Sequence, residues 1–344
     1  MVRQPALGAT LAGIAERGPE VLYEGDIGRT YVRGLNDAGS PISIEDLAAH
    51  RALVLPPLAA AFRGLHVSVV PPNSQGFVLL EILSLLERLR VDADPHGPEA
   101  GAIALVFAAA ARDRDRHLAD PDQMTAHPST LLDDGHLASL ADEIRLERTP
   151  TPQPRPNGDT IALVTADAEG FAVSLIQSLF WGFGSGICNP TTGIVAQNRG
   201  ACFTLEPGHP NAFAPGKLPA HTLMPVIVHD EHGLAAVAGS MGGYAQPQIN
   251  VQTLLHLVGG AAPADAVAAP RWILERPEPA SPARIVIEAG VPAAARRSLE
   301  SLPYPATVVP DRSEELGHAQ LIRVRPDGFD AGSDPRSDGG SLAG

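Results

Sequence analysis

Residues 149 to 158 read Thr-Pro-Thr-Pro-Gln-Pro-Arg-Pro-Asn-Gly, and the four prolines at alternate positions divide the chain. Each proline fixes φ and removes a backbone donor, so neither a helix nor a sheet interior can pass through. An extended, solvent-exposed linker is expected there. The hydrophobic pattern also changes across the run, from helical before it to alternating after it.

Ahead of the prolines, Leu7, Leu11 and Ile14 form one apolar stripe, closed by Gly18-Pro19, which predicts a surface helix. Ser43 with Asp46 gives a capping signal before Leu47, and His66 to Val70 alternates as a short strand ending at Pro71-Pro72. Ser74 is placed to cap a helix from about Gln75 to Arg90 whose apolar residues surround it, so it must be buried on several sides. A further helix is expected from Ile103 into the alternating charges Arg112 to Arg116, which read as a solvated face. Leu137, Leu140 and Ile144 mark another.

After the prolines, Thr160 to Ala166 and Phe171 to Ser178 alternate about Asp167-Ala168-Glu169-Gly170, predicting a hairpin. Strands are expected at 226–229 and 234–238, then a helix around Ile249, Leu254 and Val258, and short strands at 284–288 and 320–324. Helices with late, mostly antiparallel strands suggest a layered sandwich, not a doubly wound parallel sheet.

The 344 residues allow about two ordinary domains or one large one. With 44% hydrophobic and 19% charged residues a core forms without staples. A net charge of −14 and no basic run argue against nucleic acid as a partner. Cys188 and Cys202 cannot build a disulfide framework and read as free thiols. No apolar run approaches the roughly 20 residues of a membrane span and no signal-peptide core follows Met1, so a soluble, cytoplasmic product without membrane partners is expected.

Among residues that could carry chemistry, His229-Asp230-Glu231-His232 sits in an expected hairpin turn and is discounted as a metal site. Gly184-Ser185-Gly186 lacks the spacing of a nucleophile elbow and reads as a tight turn. Gly239 to Gly243 lies between a strand and a helix, where free N–H groups can face an anion. Thr160, just beyond the linker, gains a base if the bond before it is cut, because its own amine is then freed.

Several segments in order carry a resemblance: Pro71 to Gly76, Ala111 to Pro121, Gly158-Asp159-Thr160, Gly182 to Gly186 and Gln197-Asn198-Arg199-Gly200. His209-Pro210-Asn211, Pro215-Gly216-Lys217, His221-Thr222 and Ser333 to Asp338 continue it. From about Gln4 to Gly339 the chain resembles the gamma-glutamyltranspeptidase family of N-terminal-nucleophile hydrolases, in its acylase and amidohydrolase branch. The resemblance implies an α+β fold, a four-layer αββα sandwich. It would be N-terminally incomplete, since only 159 residues precede Thr160 and Pro5-Ala6-Leu7 matches a point well inside the family's large subunit.

It further implies a precursor that cuts itself between Asp159 and Thr160 into a large subunit, 1–159, and a small one, 160–344, intertwined as one domain. Thr160 would then be the nucleophile with its freed amine as base, Ser178 the hydroxyl bonding it, and Gly242 and Gly243 the oxyanion hole. No metal or organic cofactor is called for. The implied partners are a small-molecule amide or gamma-glutamyl substrate, the chain's own cleaved subunit, and a missing N-terminal polypeptide.

Departures bear on substrate. Where the family grips the glutamyl ammonium and carboxylate, this chain has Phe180, Arg199, Cys202 and His221-Thr222. A neutral thiol cannot replace a carboxylate under an ammonium, and Arg199 would repel it. The expected substrate-binding residues are therefore Arg199, His221 and Thr222, with Arg199 either receiving a substrate carboxylate or held in a structural salt bridge. The leading expectation is an amide hydrolase or acylase; the alternatives are a gamma-glutamyl transferase or glutathione hydrolase with an altered pocket, and an inactive remnant or scaffold partner.

Overall fold

The computed structural model describes residues 3–146, 159–276 and 281–343; the expected proline linker lies outside them. The chain forms two compact units, residues 1–55 with 179–199, and residues 56–178 with 200–344. Among the described residues no helix is long and apolar enough to cross a membrane.

In the first unit α1 (Pro5–Arg17) opens on a proline and ends at Gly18, in a positive-φ conformation that glycine adopts freely. Its Leu11 faces outward, as expected of a surface helix. Then come α2 (Glu20–Tyr23), α3 (Asp26–Asp37) and α4 (Ile44–Ala49), the last started by a reciprocal capping box between Ser43 and Asp46. The Thr10 hydroxyl donates to the Thr192 carbonyl and Asn189 Nδ2 to that of Thr30, fastening the 179–199 segment to α1 and α3.

The second unit begins with the hairpin of β1 (Leu58–Phe62) and β2 (Leu65–Val69). Next are α5 (Gly76–Leu89), α6 (Ala100–His117), α7 (Pro128–Leu131) and α8 (Asp134–Arg145). As its all-round apolar surface demands, α5 is buried from Phe77 to Leu86 save for part of Ser84. Gln75 holds the N-cap position one residue later than expected, while the Ser74 hydroxyl accepts from the Gly76 N–H at 3.3 Å and donates to the Leu223 carbonyl. The reading of Arg112 to Arg116 as a solvated face also fails. Asp113 and Arg114 are 2% and 3% exposed, because α6 is packed on several sides and these charges find partners inside.

β3 (Asp159–Ala166) and β4 (Ala172–Phe180) form the expected hairpin, β4 running into the first unit at its last two residues. The remainder is β5 (Val226–Asp230), β6 (Gly233–Met241), α9 (Gln246–Val258), α10 (Pro263–Ala268), β7 (Trp272–Glu275), β8 (Arg284–Glu288), α11 (Ala293–Glu300), β9 (Ala306–Val309), β10 (His318–Arg325) and β11 (Gly328–Ser333). Six strands make one antiparallel sheet in the order β1-β2-β5-β6-β10-β11. A smaller sheet, β7-β8-β9, lies against α6, where Trp272 is fully buried with its ring 5.4 Å from that of Phe107.

Alternation along β6 separates the two faces of the large sheet. Ala236 and Ala238 join the core with α5 and α9, while Gly239 faces the β3–β4 hairpin, where an added Cβ would stand 2.8 Å from Ile176 Cδ1. Helices, the six-stranded sheet and the hairpin therefore stack as three layers. The hairpin's outer face is apolar yet exposed at Ile161, Leu163, Val173 and Leu175, Ile161 being 67% exposed.

The carboxy-terminal Ser333 to Asp338 run is a buried charge network. Arg336 bonds both Glu288 oxygens and Asp334 Oδ1, and Arg271 meets Asp334 Oδ2 at 3.0 Å. These groups are almost wholly excluded from solvent, which is tolerable only because each charge is paired and hydrogen-bonded.

Candidate active site

Thr160 is the second residue of β3, on the inward face of the hairpin, and is 5% exposed. The loop bond from Asp167 N–H to the Phe171 carbonyl closes the hairpin, and counting back from it sets Thr160 across from Ser178. Thr160 Oγ1 donates to Ser178 Oγ at 3.0 Å. Beyond Ser178 the chain turns sharply at Phe180, a non-glycine residue at φ 82°. Farther along the hairpin, Ser174 Oγ donates to the Ala238 carbonyl, which seats the inward face on β6. Only the backbone of Asp159 is described, as the first residue of β3.

β6 leads directly into Gly242 and Gly243. Gly243 has φ 55°, and a Cβ on Gly242 would run into Ile249 Cδ1, so both positions require glycine. A short 3-10 turn, Gly243–Ala245, and α9 follow, the strand–turn–helix arrangement that leaves N–H groups available for an anion.

The turn is braced from α5. Gln75 is wholly buried, and its Nε2 donates to the carbonyls of Thr222 and Gly243, both at 2.9 Å. Asn73 Nδ2 holds the Pro219 carbonyl and Ser74 Oγ that of Leu223, so the 73–75 segment grips the chain around His221 and Thr222. Thr222 is buried; His221 exchanges backbone hydrogen bonds with Asn73 and Gln75. Behind Gln75, Arg114 donates to the Tyr244 carbonyl at 3.2 Å and forms an ion pair with Asp115. Sequence reading missed the roles of Asn73, Gln75 and Arg114. The available signal was a run of amide and hydroxyl side chains directly before a wholly apolar helix.

Other motif residues hold loops in shape. Asn211 spans from the Cys202 carbonyl to the Ala220 N–H, and Lys217 donates to the carbonyls of Pro210 and Ala212. Arg199 belongs to the first unit, where its guanidinium lies over the Phe180 ring at 4.5 Å. Thr160, Ser178, Gly242, Gly243, His221 and Thr222 all belong to the second unit. The 229–232 run is an exposed hairpin turn, as read from sequence.

The family model described as gamma-glutamyltranspeptidase matches residues 1–344. The chain belongs to the gamma-glutamyltranspeptidase family. It is 37% identical to an oxamate amidohydrolase proenzyme of Klebsiella pneumoniae subsp. pneumoniae, over 98% of this chain and 64% of that protein. It is 35% identical to the glutathione hydrolase-like YwrD proenzyme of Bacillus subtilis, over 98% and 65% respectively. The crystal structure of cephalosporin acylase from Bacillus halodurans superposes with a TM-score of 0.85 at 29% identity, over 98% of this chain and 62% of that one. The chain therefore spans somewhat under two thirds of the length of these relatives. The likeness to an acylase fold agrees with the αββα expectation, of which the second unit supplies three layers: helices, the six-stranded sheet and the hairpin.

Proposed function

We propose that this chain is an amide hydrolase or acylase of the family that cuts itself before Thr160 and then uses Thr160 as nucleophile. The observation that carries this reading is the Thr160 Oγ1 to Ser178 Oγ hydrogen bond on the inward face of the hairpin, where Thr160 is buried. Severing the 159–160 bond gives Thr160 a free amine, which accepts the hydroxyl proton as Oγ1 attacks the substrate carbonyl. The N–H groups of Gly242 and Gly243 receive the developing oxyanion, and Gln75 and Arg114 hold that turn in place. Expulsion of the amine leaves an acyl-enzyme that water resolves.

An acidic amide is the preferred substrate class. The buried thiol of Cys202 offers an ammonium group no counter-charge, and from its sequence position Arg199 is the proposed receiver of a substrate carboxylate. Oxamate, the substrate named for one relative, combines a carboxylate with an amide. We also infer that the working assembly includes polypeptide equivalent to the part of the relatives that the match leaves out, seated on the exposed outer face of the β3–β4 hairpin.

Mass spectrometry of the purified protein tests the mechanism: two fragments meeting at Asp159/Thr160, and one uncut chain for Thr160→Ala, are expected. An uncut wild type after long incubation would favour the inactive remnant. Amine release from oxamate-like against gamma-glutamyl amides separates hydrolase from transferase, and loss of activity toward acidic amides alone in Arg199→Ala tests the carboxylate role. Intact mass of the assembly from its native source tests the additional polypeptide.

A further inference from the structure

Three helices of the second unit bring Glu81, Asp113 and His136 together, one each from α5, α6 and α8. One donor atom from each lies within 4.8 Å of the others. His136 Nε2 is 2.7 Å from Asp113 Oδ2 and 3.8 Å from Glu81 Oε1. Glu81 is 0% exposed, and neither of its carboxylate oxygens has a hydrogen-bond partner among the described residues. A fully buried carboxylate with no hydrogen bond is costly, and a second carboxylate beside it raises the cost.

We propose that Glu81, Asp113 and His136 bind a divalent transition-metal ion of the zinc class, which ties α5, α6 and α8 together. Two carboxylates and an imidazole form the hard and borderline donor set that such ions take, whereas calcium and magnesium prefer oxygen alone. Two positive charges balance the two carboxylates and supply both orphaned Glu81 oxygens with a partner. His117 lies at the edge of the cluster, outside the three residues whose donor atoms come together. Its Nδ1 is engaged by Thr125 Oγ1 at 2.9 Å, turning Nε2 toward Asp113 Oδ1 at 3.7 Å. The His136 side chain is 23% exposed and gives the ion a path from solvent. A proton is the competitor for the site: His136 Nε2 and Asp113 Oδ2 share a hydrogen bond at 2.7 Å, and the ion takes the place of that proton. Sequence spacing does not reveal this cluster, because Glu81, Asp113 and His136 are far apart in the chain.

The test uses the full chain, stripped with a chelator and titrated with Zn²⁺ or Co²⁺ alone. One ion per chain, a rise in Tm of about 5 °C at saturation, and the visible absorption of a four-coordinate Co²⁺ site are expected. Glu81→Gln should bind at least about 100-fold more weakly while its metal-free Tm stays near wild type, since the amide is neutral. His136→Gln, at a partly exposed position, provides a second folded variant that should lose the ion. Loss of binding in either folded variant supports the proposal. No saturable binding by the wild type, or undiminished binding by both variants, overturns it.

Discussion

The Arg114 guanidinium lies over the ring of Tyr244, its Cζ 4.4 Å from the ring centroid, and also bonds the Tyr244 carbonyl. A buried cation is thereby anchored to the residue that follows the Gly242-Gly243 pair. A lysine would keep the charge but lose the planar stack and the forked donors. For Arg114→Lys, kcat in the processed enzyme should fall about tenfold or more with KM little changed, because a misplaced turn weakens transition-state binding first. Steady-state kinetics check this; an unchanged kcat rejects a positioning role.

Ser178→Ala removes the group that fixes the Thr160 hydroxyl. Self-cleavage and turnover are expected to slow by about 10²-fold, and Ser178→Thr, which restores a hydroxyl, should recover most of the loss. Timed denaturing gels and amine release measure both. Equal rates for the alanine and threonine variants would show that the hydrogen bond is incidental.

Arg336→Ala strands Glu288, 1% exposed, without a side-chain counter-charge and leaves Asp334 with Arg271 alone. Removing one member of a buried, hydrogen-bonded ion network costs about 3–5 kcal/mol. Urea unfolding should show a loss of that order, and a loss under about 1 kcal/mol would mean that water reaches the cluster.

Acid sensitivity should include a contribution from His256. Burial, with help from His96 at a ring distance of 4.5 Å, pushes its pKa down to about 4. The unfolded chain takes up a proton near pH 6.5 that the folded chain refuses until about pH 4, so stability falls as pH drops through that window. The loss is on the order of 3 kcal/mol. Because His256 Nε2 has no hydrogen-bond partner among the described residues, His256→Leu should fold and flatten the slope between pH 6.5 and 4. Thermal melts across that range decide it.

The hairpin bearing Thr160 and Ser178 was readable because strict alternation and a four-residue turn fix its register locally. The position of the glycine pair between strand and helix was equally local. Asn73 and Gln75 were not readable as braces, since the carbonyls they hold lie 146 to 168 residues away and leave no trace in a nearby pattern. Asp113 and Arg114 misled because an alternating charge run has the same pattern whether it meets water or buried partners. Among strands, β1 has no β-branched residue and β9 is four residues long, so neither stands out from a loop.

β1 and β2 come before residue 160 in the chain and β5, β6, β10 and β11 after it, yet hydrogen bonds knit all six into one sheet. A cut at that residue would make a new amino terminus without setting a piece free. The fragments could separate only by tearing the β2–β5 ladder and lifting α5 off its apolar bed, so dilution alone would not disassemble the nicked protein; it would have to melt.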